Sequence, residues 1–358
     1  MTNPRSSFLV LTVWGCFLCF LLHNAALAAA GVTEGLFLCA ARLIPALFPV
    51  SVCAAFAQST GICHLIGSRL CCLTRDRLRL GADGWGAFCI GLVSGFPVGA
   101  QTVFSLYGQG RIGTKQMQRL AGCCNNAGPA FLIGYIGVSL FKSPLLGFLL
   151  FLCQTLSAVI LLRLSADEGE ESSVPVDLPP ACSQSAAFSA AVKTAVSGTL
   201  TVCGFVVFFC VVCKALNAAL ETLHLHGDVL PALLCAPLEL STGCAACVNL
   251  PCGALIAAAL CGWSGLCVHM QTAAFAPRAF SMGRYIRQKA LHAVCTAAIF
   301  SVFFLCLPYT VQKIPLFPLP QSTADFMQYT FSVLLPALLL LLLLFLPRRK
   351  STAKKGAR

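Results

Sequence analysis

The sequence predicts an all-α polytopic membrane protein: about eight transmembrane helices plus two re-entrant or broken helices, arranged as an inverted repeat. Three observations carry that prediction. Of 358 residues, 58% are hydrophobic and only 10% charged, with a mean hydropathy of +0.85. Soluble chains are nearer half apolar and a quarter charged, so an aqueous surface cannot be built here. The apolar residues also gather into runs of bilayer length, about 20 residues each, enough for about eight to ten segments. Finally, glycine and proline interrupt two of those runs at places where an unbroken helix would be expected. A cytosolic enzyme, a secreted disulfide scaffold and a disordered chain are excluded.

Ten segments follow in order, at about 8–30, 36–58, 85–107, 120–140, 144–163, 189–216, 229–250, 252–276, 288–308 and 326–347. The first begins after Arg5 and runs to Leu22, and the following Ala26-Leu27-Ala28 resembles a small-residue cleavage site. A retained first span, continued by Ala28 to Gly31, is the expectation; cleavage would leave the remaining topology unchanged. Segment 85–107 carries Gly86, Gly91, Gly95, Pro97 and Gly99, and the short segment 229–250 carries Pro231, Pro237 and Glu239. Both read as broken or re-entrant, which is tolerated at membrane depth only where protein or a cavity covers the bare backbone.

Charge sets the orientation. Arg69, Arg75, Arg77 and Arg79 precede segment 85–107, and Arg111, Lys115 and Arg119 follow it. Basic loops on both sides place its entry and exit on the cytoplasmic face. Loop 277–289, with Arg278, Arg284, Arg287 and Lys289, and the tail from Arg348 to Arg358 are cytoplasmic by the same rule, and loop 309–325 is outside. If 229–250 re-enters from the outer face, eight crossings leave both termini inside. The segments from 36 to 163 then repeat from 189 to 308 with every direction reversed, and Pro45-Ala-Leu-Phe-Pro49-Val echoes Leu200-Thr-Val-Cys-Gly204-Phe. The expected organisation is an N-terminal helix (1–31), a first gate-like repeat (32–164), an acidic linker (165–187), a second repeat (188–310), and a last helix with a basic tail (311–358). Inverted repeats with broken helices in matching positions belong to secondary transporters.

The net charge of +12 sits in short loops and the tail. It reads as topology and attraction to an anionic lipid bilayer rather than nucleic-acid binding. The 23 cysteines lie mostly inside apolar segments, where cysteine packs as a small hydrophobe. The C-x-x-C pairs Cys16/Cys19, Cys210/Cys213 and Cys244/Cys247 lack a second pair or a nearby His in a polar loop, so neither zinc nor another metal or cofactor is expected. No Walker loop, G-x-S-x-G or metal motif is present, and enzymatic activity is not expected.

The candidate binding residues cluster at the interruptions. Glu239, read as the one acidic residue amid an apolar segment, is followed by Ser241, Thr242 and Gly243. A carboxylate there costs at least about 2.5 kcal/mol on insertion scales and marks an ion or substrate path, or a paired structural site. Ser94, Gly95, Pro97 and Gly99 form the counterpart in the first half, where N–H groups freed at a break can hold an anion. Asn125, Asn126 and Gly128 open segment 120–140, and His269 and Gln271 occupy the matching place at 252–276. Asparagine can also be a simple helix cap, and a lone His on an apolar face is commonly structural. Arg42, Lys193 and Lys214 lie near helix ends, where they can snorkel to headgroups; Arg42 or Lys193 can instead balance an anionic substrate.

On these residues the chain resembles the sporulation integral membrane protein YlbJ (SpoVV) family, a group carrying the gate domain of nucleoside and ferrous-iron transporters. The matching stretches are Ser94-Gly95-Phe96-Pro97-x-Gly99-Ala100, Asn125-Asn126-x-Gly128-Pro129, Glu239-x-x-Thr242-Gly243, Gly265-Leu-Cys267-Val268-x-x-Gln271 and Tyr285-x-x-x-Lys289. In order, they span most of residues 32–310; the cysteine load is the chief departure. The resemblance implies a role in endospore formation, in the outer forespore membrane of a bacterium, moving dipicolinate toward the forespore. Substrate would contact Ser94, Gly95, Pro97, Gly99, Asn125, Asn126, Gly128, Ser241, Thr242, Gly243 and Gln271, with Glu239 binding a coupling proton or cation. A homo-oligomer or sporulation membrane partners fit the same picture. A nucleoside or nucleobase transporter, and a non-transporting assembly factor for the spore envelope, are the competing readings.

Overall fold

The computed structural model describes residues 4–165, 183–224, 230, 234–248, 250 and 252–306. The acidic core of the expected linker, segment 326–347 and the basic tail lie outside the described residues. Among the described residues the fold is helical throughout, without a strand.

The first two expected segments are divided differently. Helix α1 (Pro4–His23) ends at Asn24, and α2 (Ala25–Leu38) runs through a π-helical turn, Cys39–Leu43, into α3 (Ile44–Ser59). Pro45 cannot donate to the preceding turn, and the wider π turn accommodates that loss without ending the helix. At Gly61, whose φ is +77°, the chain bends 79° into α4 (Ile62–Thr74). This helix is a correction, because its arginine content had marked it as a loop. Glycine lets α4 press on α5 (Gly81–Ser94): a Cβ at Gly67 would strike the Ala82 carbonyl, and one at Gly86 the Cys63 carbonyl.

Segment 85–107 is broken as expected. Helix α5 stops at Gly95, and α6 (Val98–Gly108) turns back along it. Eight residues of continuous helix would separate Gly91 from Gly99 by about 12 Å. Instead a Cβ on Gly99 would lie 3.1 Å from the Gly91 Cα. Segment 120–140 is also broken, where Gly128-Pro129 interrupts the helix: α7 (Thr114–Cys124) gives way to the irregular stretch Asn125–Pro129 and then to a π-helix, Ala130–Leu140. Helix α8 (Pro144–Leu164) follows, its first turn capped by Ser143, whose Oγ accepts from the Leu146 N–H at 3.1 Å.

Helix α9 (Gln184–Thr222) begins at a second serine cap, Ser183, so the final residues of the expected linker are helical. It packs along both α2 and α3. Small residues permit that approach, as they do generally between membrane helices: ideal Cβ atoms on Gly31 and Gly35 would fall 2.8 and 2.7 Å from the Cα atoms of Val211 and Val207. Beyond Glu239 come α10 (Leu240–Cys247), α11 (Gly253–Trp263), α12 (Gly265–Phe275) and α13 (Met282–Cys306). Segment 252–276 is interrupted at Ser264, whose φ is +74°, yet α11 and α12 together keep the length of one span.

Among the described residues, four helical stretches are long and apolar enough to cross a bilayer, or five if the bent pair α3–α4 is one span. Packing between the halves is reciprocal. Helices α8 and α13 pack on each other, and α13 meets α7 while α8 meets α11.

Candidate functional site

A cavity of about 410 Å³ lies where the helix interruptions meet, within the size range of small-molecule sites. The first wall comes from the α5–α6 break, through Ser94, Gly95 and Phe96. Gly95 has a φ of +76°, and a Cβ there would come 2.5 Å from the Gly128 N, so only glycine lets this break cross the next one. Gly128, Phe131 and Tyr135 form the second wall, and Phe96 and Phe131 meet edge to face, 6.0 Å between ring centres.

The third and fourth walls are joined by backbone hydrogen bonds. The Leu266 and Cys267 N–H groups donate to the carbonyls of Pro237 and Leu238, each at 2.8 Å. Glu239 caps α10: Oε1 accepts from the Ser241 N–H at 3.1 Å, and Oε2 from the Thr242 N–H and Oγ1 at 2.7 and 2.8 Å. A carboxylate in this place is favoured by the positive end of the helix dipole. Glu239 is only 3% exposed, yet it lines the cavity together with Ser241. Gln271 lines it too, on α12. Its Nε2 approaches the Cys267 Sγ at 3.3 Å, while its buried Oε1 has no hydrogen-bond partner.

Arg42, on the π turn between α2 and α3, stands at the rim and donates to the Ser139 Oγ at 3.3 Å. Leu47 of α3 and Val202 of α9 border this cavity and also a second one, of about 1060 Å³, which reaches Pro97, Arg111 and Lys193. The two cavities therefore lie on either side of a septum of Leu47, Val202 and the Phe96–Pro97 turn.

Of the residues singled out in the sequence, the structure gathers Ser94, Gly95, Gly128, Glu239, Ser241, Gln271 and Arg42 around one space. The others stand elsewhere. Pro97 and Lys193 border the second cavity. Gly99 is pressed against the Cys124 carbonyl, Gly243 against Ala236, and Thr242 is engaged with Glu239. His269 is buried behind the wall, its Nε2 2.9 Å from the Trp263 carbonyl. A second acidic residue does lie within a stretch of bilayer length: Glu34 of α2 pairs with Lys214 at 2.7 Å, both half-exposed.

Asn125 and Asn126 are buried behind the second break. The Asn126 Nδ2 donates to the Cys123 carbonyl at 2.6 Å, closing the end of α7. The Asn125 Nδ2 donates to the Thr272 Oγ1 and the Tyr285 OH at 2.9 and 2.8 Å. Behind them stands Lys289, which had been counted as a loop cation and is instead fully buried within α13. Arg111 and Arg119 are likewise buried, the first on Asp83 and the second on the carbonyls of Leu78, Arg79 and Leu162. Their neighbours Gly110 and Lys115 remain exposed. A buried arginine and a loop arginine look alike in a charge count; the apolar register around Lys289, with Tyr285 and His292 on one face, was the available signal. Among the described residues, no group of three or more His, Cys, Asp or Glu side chains is placed to hold a metal ion. No family model matches the chain, and no curated protein or solved structure matches it.

Proposed function

We propose that the chain is a secondary membrane carrier for a small organic anion, dipicolinate by the family resemblance, acting in endospore formation at the outer forespore membrane. The observation that carries this reading is the cavity at the crossing of the helix breaks, with aromatic rings in its wall and a guanidinium at its rim. The aromatic faces of Phe96, Phe131 and Tyr135 suit a planar ring, and the Arg42 guanidinium at the rim suits a carboxylate.

Two further features support a carrier. The reciprocal packing of the two halves is what an inverted repeat of eight crossings and two re-entrant helices would produce. Leu47 and Val202 border both cavities, so they stand where a carrier that rocks about a central site would place a gate. Glu239 would repel a dianion unless it carried a proton or a cation, so it is the coupling residue in this reading. The Gln271 Oε1, which has no partner, and the Glu239 carboxylate are acceptors that a dipicolinate dianion does not satisfy, and they favour a second ligand class, a neutral donor-rich nucleobase or nucleoside.

Uptake of labelled dipicolinate and labelled uridine into proteoliposomes containing the purified protein separates these readings. Saturable dipicolinate uptake is the expected result. Uridine uptake alone would select the second class, and uptake of neither by folded protein would favour an assembly factor.

A further inference from the structure

The cluster behind the second break has its own chemistry. The Lys289 Nζ lies 3.0 Å from the Asn125 carbonyl oxygen, 3.2 Å from the Asn126 Oδ1 and 3.3 Å from the His292 Nδ1. Three acceptors match the three N–H bonds of an ammonium. His292 fits that assignment. Its Nε2 sits 2.9 Å from the Gln154 carbonyl, which can only accept, so the ring proton belongs on Nε2 and Nδ1 is free to receive a bond from Lys289.

The counter-charge is dipolar. Among the described residues, the ion pairs of the structure leave Lys289 without a carboxylate. It faces the C-terminal end of α7, where the helix dipole concentrates negative charge. A neutral side chain of similar size, such as methionine, would fill the same volume without the desolvation cost of a cation, which is several kcal/mol. The charge therefore has work beyond filling space.

Unwound carbonyls and half-helix C-terminal ends are the groups with which broken-helix carriers coordinate a coupling metal ion. Here such a carbonyl, on the first half of the chain, is taken by a cation carried on the second half. We propose that the Lys289 ammonium is a built-in cation standing where a coupling sodium ion would bind, so that closure of the α7 break needs no sodium. The sodium-independence of transport rests on the carrier reading; occupation of the site by the ammonium does not.

The test uses the purified full chain in detergent and in proteoliposomes, with sodium, methylammonium or choline chloride at equal ionic strength. The wild type is expected to melt at the same temperature in all three salts. Lys289→Ala opens a hole at the break. It should melt about 5 °C or more lower in choline, on the scale of losing charge-assisted bonds in a chain of this size, and recover in methylammonium or sodium. Lys289→Met, which fills the hole without charge, should stay folded, respond to neither cation and take up substrate at least about tenfold more slowly. Sodium raising the wild-type melting temperature, Lys289→Ala recovering in neither cation, or Lys289→Met matching the wild type in uptake would each overturn the proposal. If Lys289→Ala does not fold, the wild-type and Lys289→Met measurements decide it. Cation recovery in a protein that carries neither dipicolinate nor uridine would keep the cation site and remove the carrier reading.

Discussion

Gln271 carries the sharpest conflict between stability and use. Its Oε1 is buried without a partner, beside a cavity that other polar groups also enter. Replacing a polar group that lacks a partner by an apolar one of similar shape is neutral or stabilising, whereas a ligand-binding group cannot be lost without affinity. Gln271→Leu should therefore keep or raise the melting temperature while weakening substrate uptake about tenfold or more. Equal uptake would take Gln271 out of the site. Glu239 differs because its carboxylate also caps α10. Glu239→Gln keeps one acceptor for that cap and should cost about 1 kcal/mol in stability, yet abolish dependence of uptake on the coupling gradient. Uptake unchanged in rate and in gradient dependence would remove it from the mechanism. Neither effect was readable from composition. The sequence showed Glu239 as an isolated charge, but a cap on a helix of eight residues appears only once the backbone is placed.

At the scale of the helix, glycine decides where elements can cross. Gly91 and Gly99 both press on the Cys124 carbonyl, so the α5–α6 hairpin and the end of α7 share one backbone contact. Gly99→Ala forces them apart and should cost about 1–3 kcal/mol, the range of overpacking, measured as a loss of thermal stability. Gly204→Ala, on α9 with no atom within 4 Å of the added methyl, is the matched control. It should be neutral or gain up to about 1 kcal/mol from helix propensity. The break at Gly95–Pro97 was legible because proline and glycine forbid a straight helix there. The interruption at Ser264 was not, since serine gives no such signal and its positive φ is imposed by the bonds from Leu266 and Cys267 to the neighbouring break. Helix α4 was missed for the opposite reason: Arg69 is exposed on the helix and Arg75 just past its end, while the other face is glycine packed on α5.

For the whole molecule, orientation follows from charges that remain at the surface. Arg278, Arg284 and Arg287 are exposed beside the start of α13, and Arg69 and Lys115 are exposed near α5 and α7. Removing the buried Arg111, Arg119 and Lys289 from the count leaves the bias in place. Reporter insertions after Gly110 and Arg278 should be read on the cytoplasmic face, and one after Lys142 on the other. All three on one side would refute the topology. The apolar periodicity that made α8 and α9 plain in the sequence could not supply their partners, because membrane helices associate through small residues and hydrogen bonds rather than through hydrophobicity.

Helix α9 has 39 residues, so it extends about 58 Å at 1.5 Å per residue, against a hydrocarbon core of about 30 Å. It must lean over or stand proud of the bilayer, and it takes α2 with it through the glycine seam and α3 through direct packing. Membrane thickness thus becomes a mechanical load on the septum that Val202 and Leu47 share. Lipids with shorter or longer acyl chains would set the angle at which the two cavities are held apart.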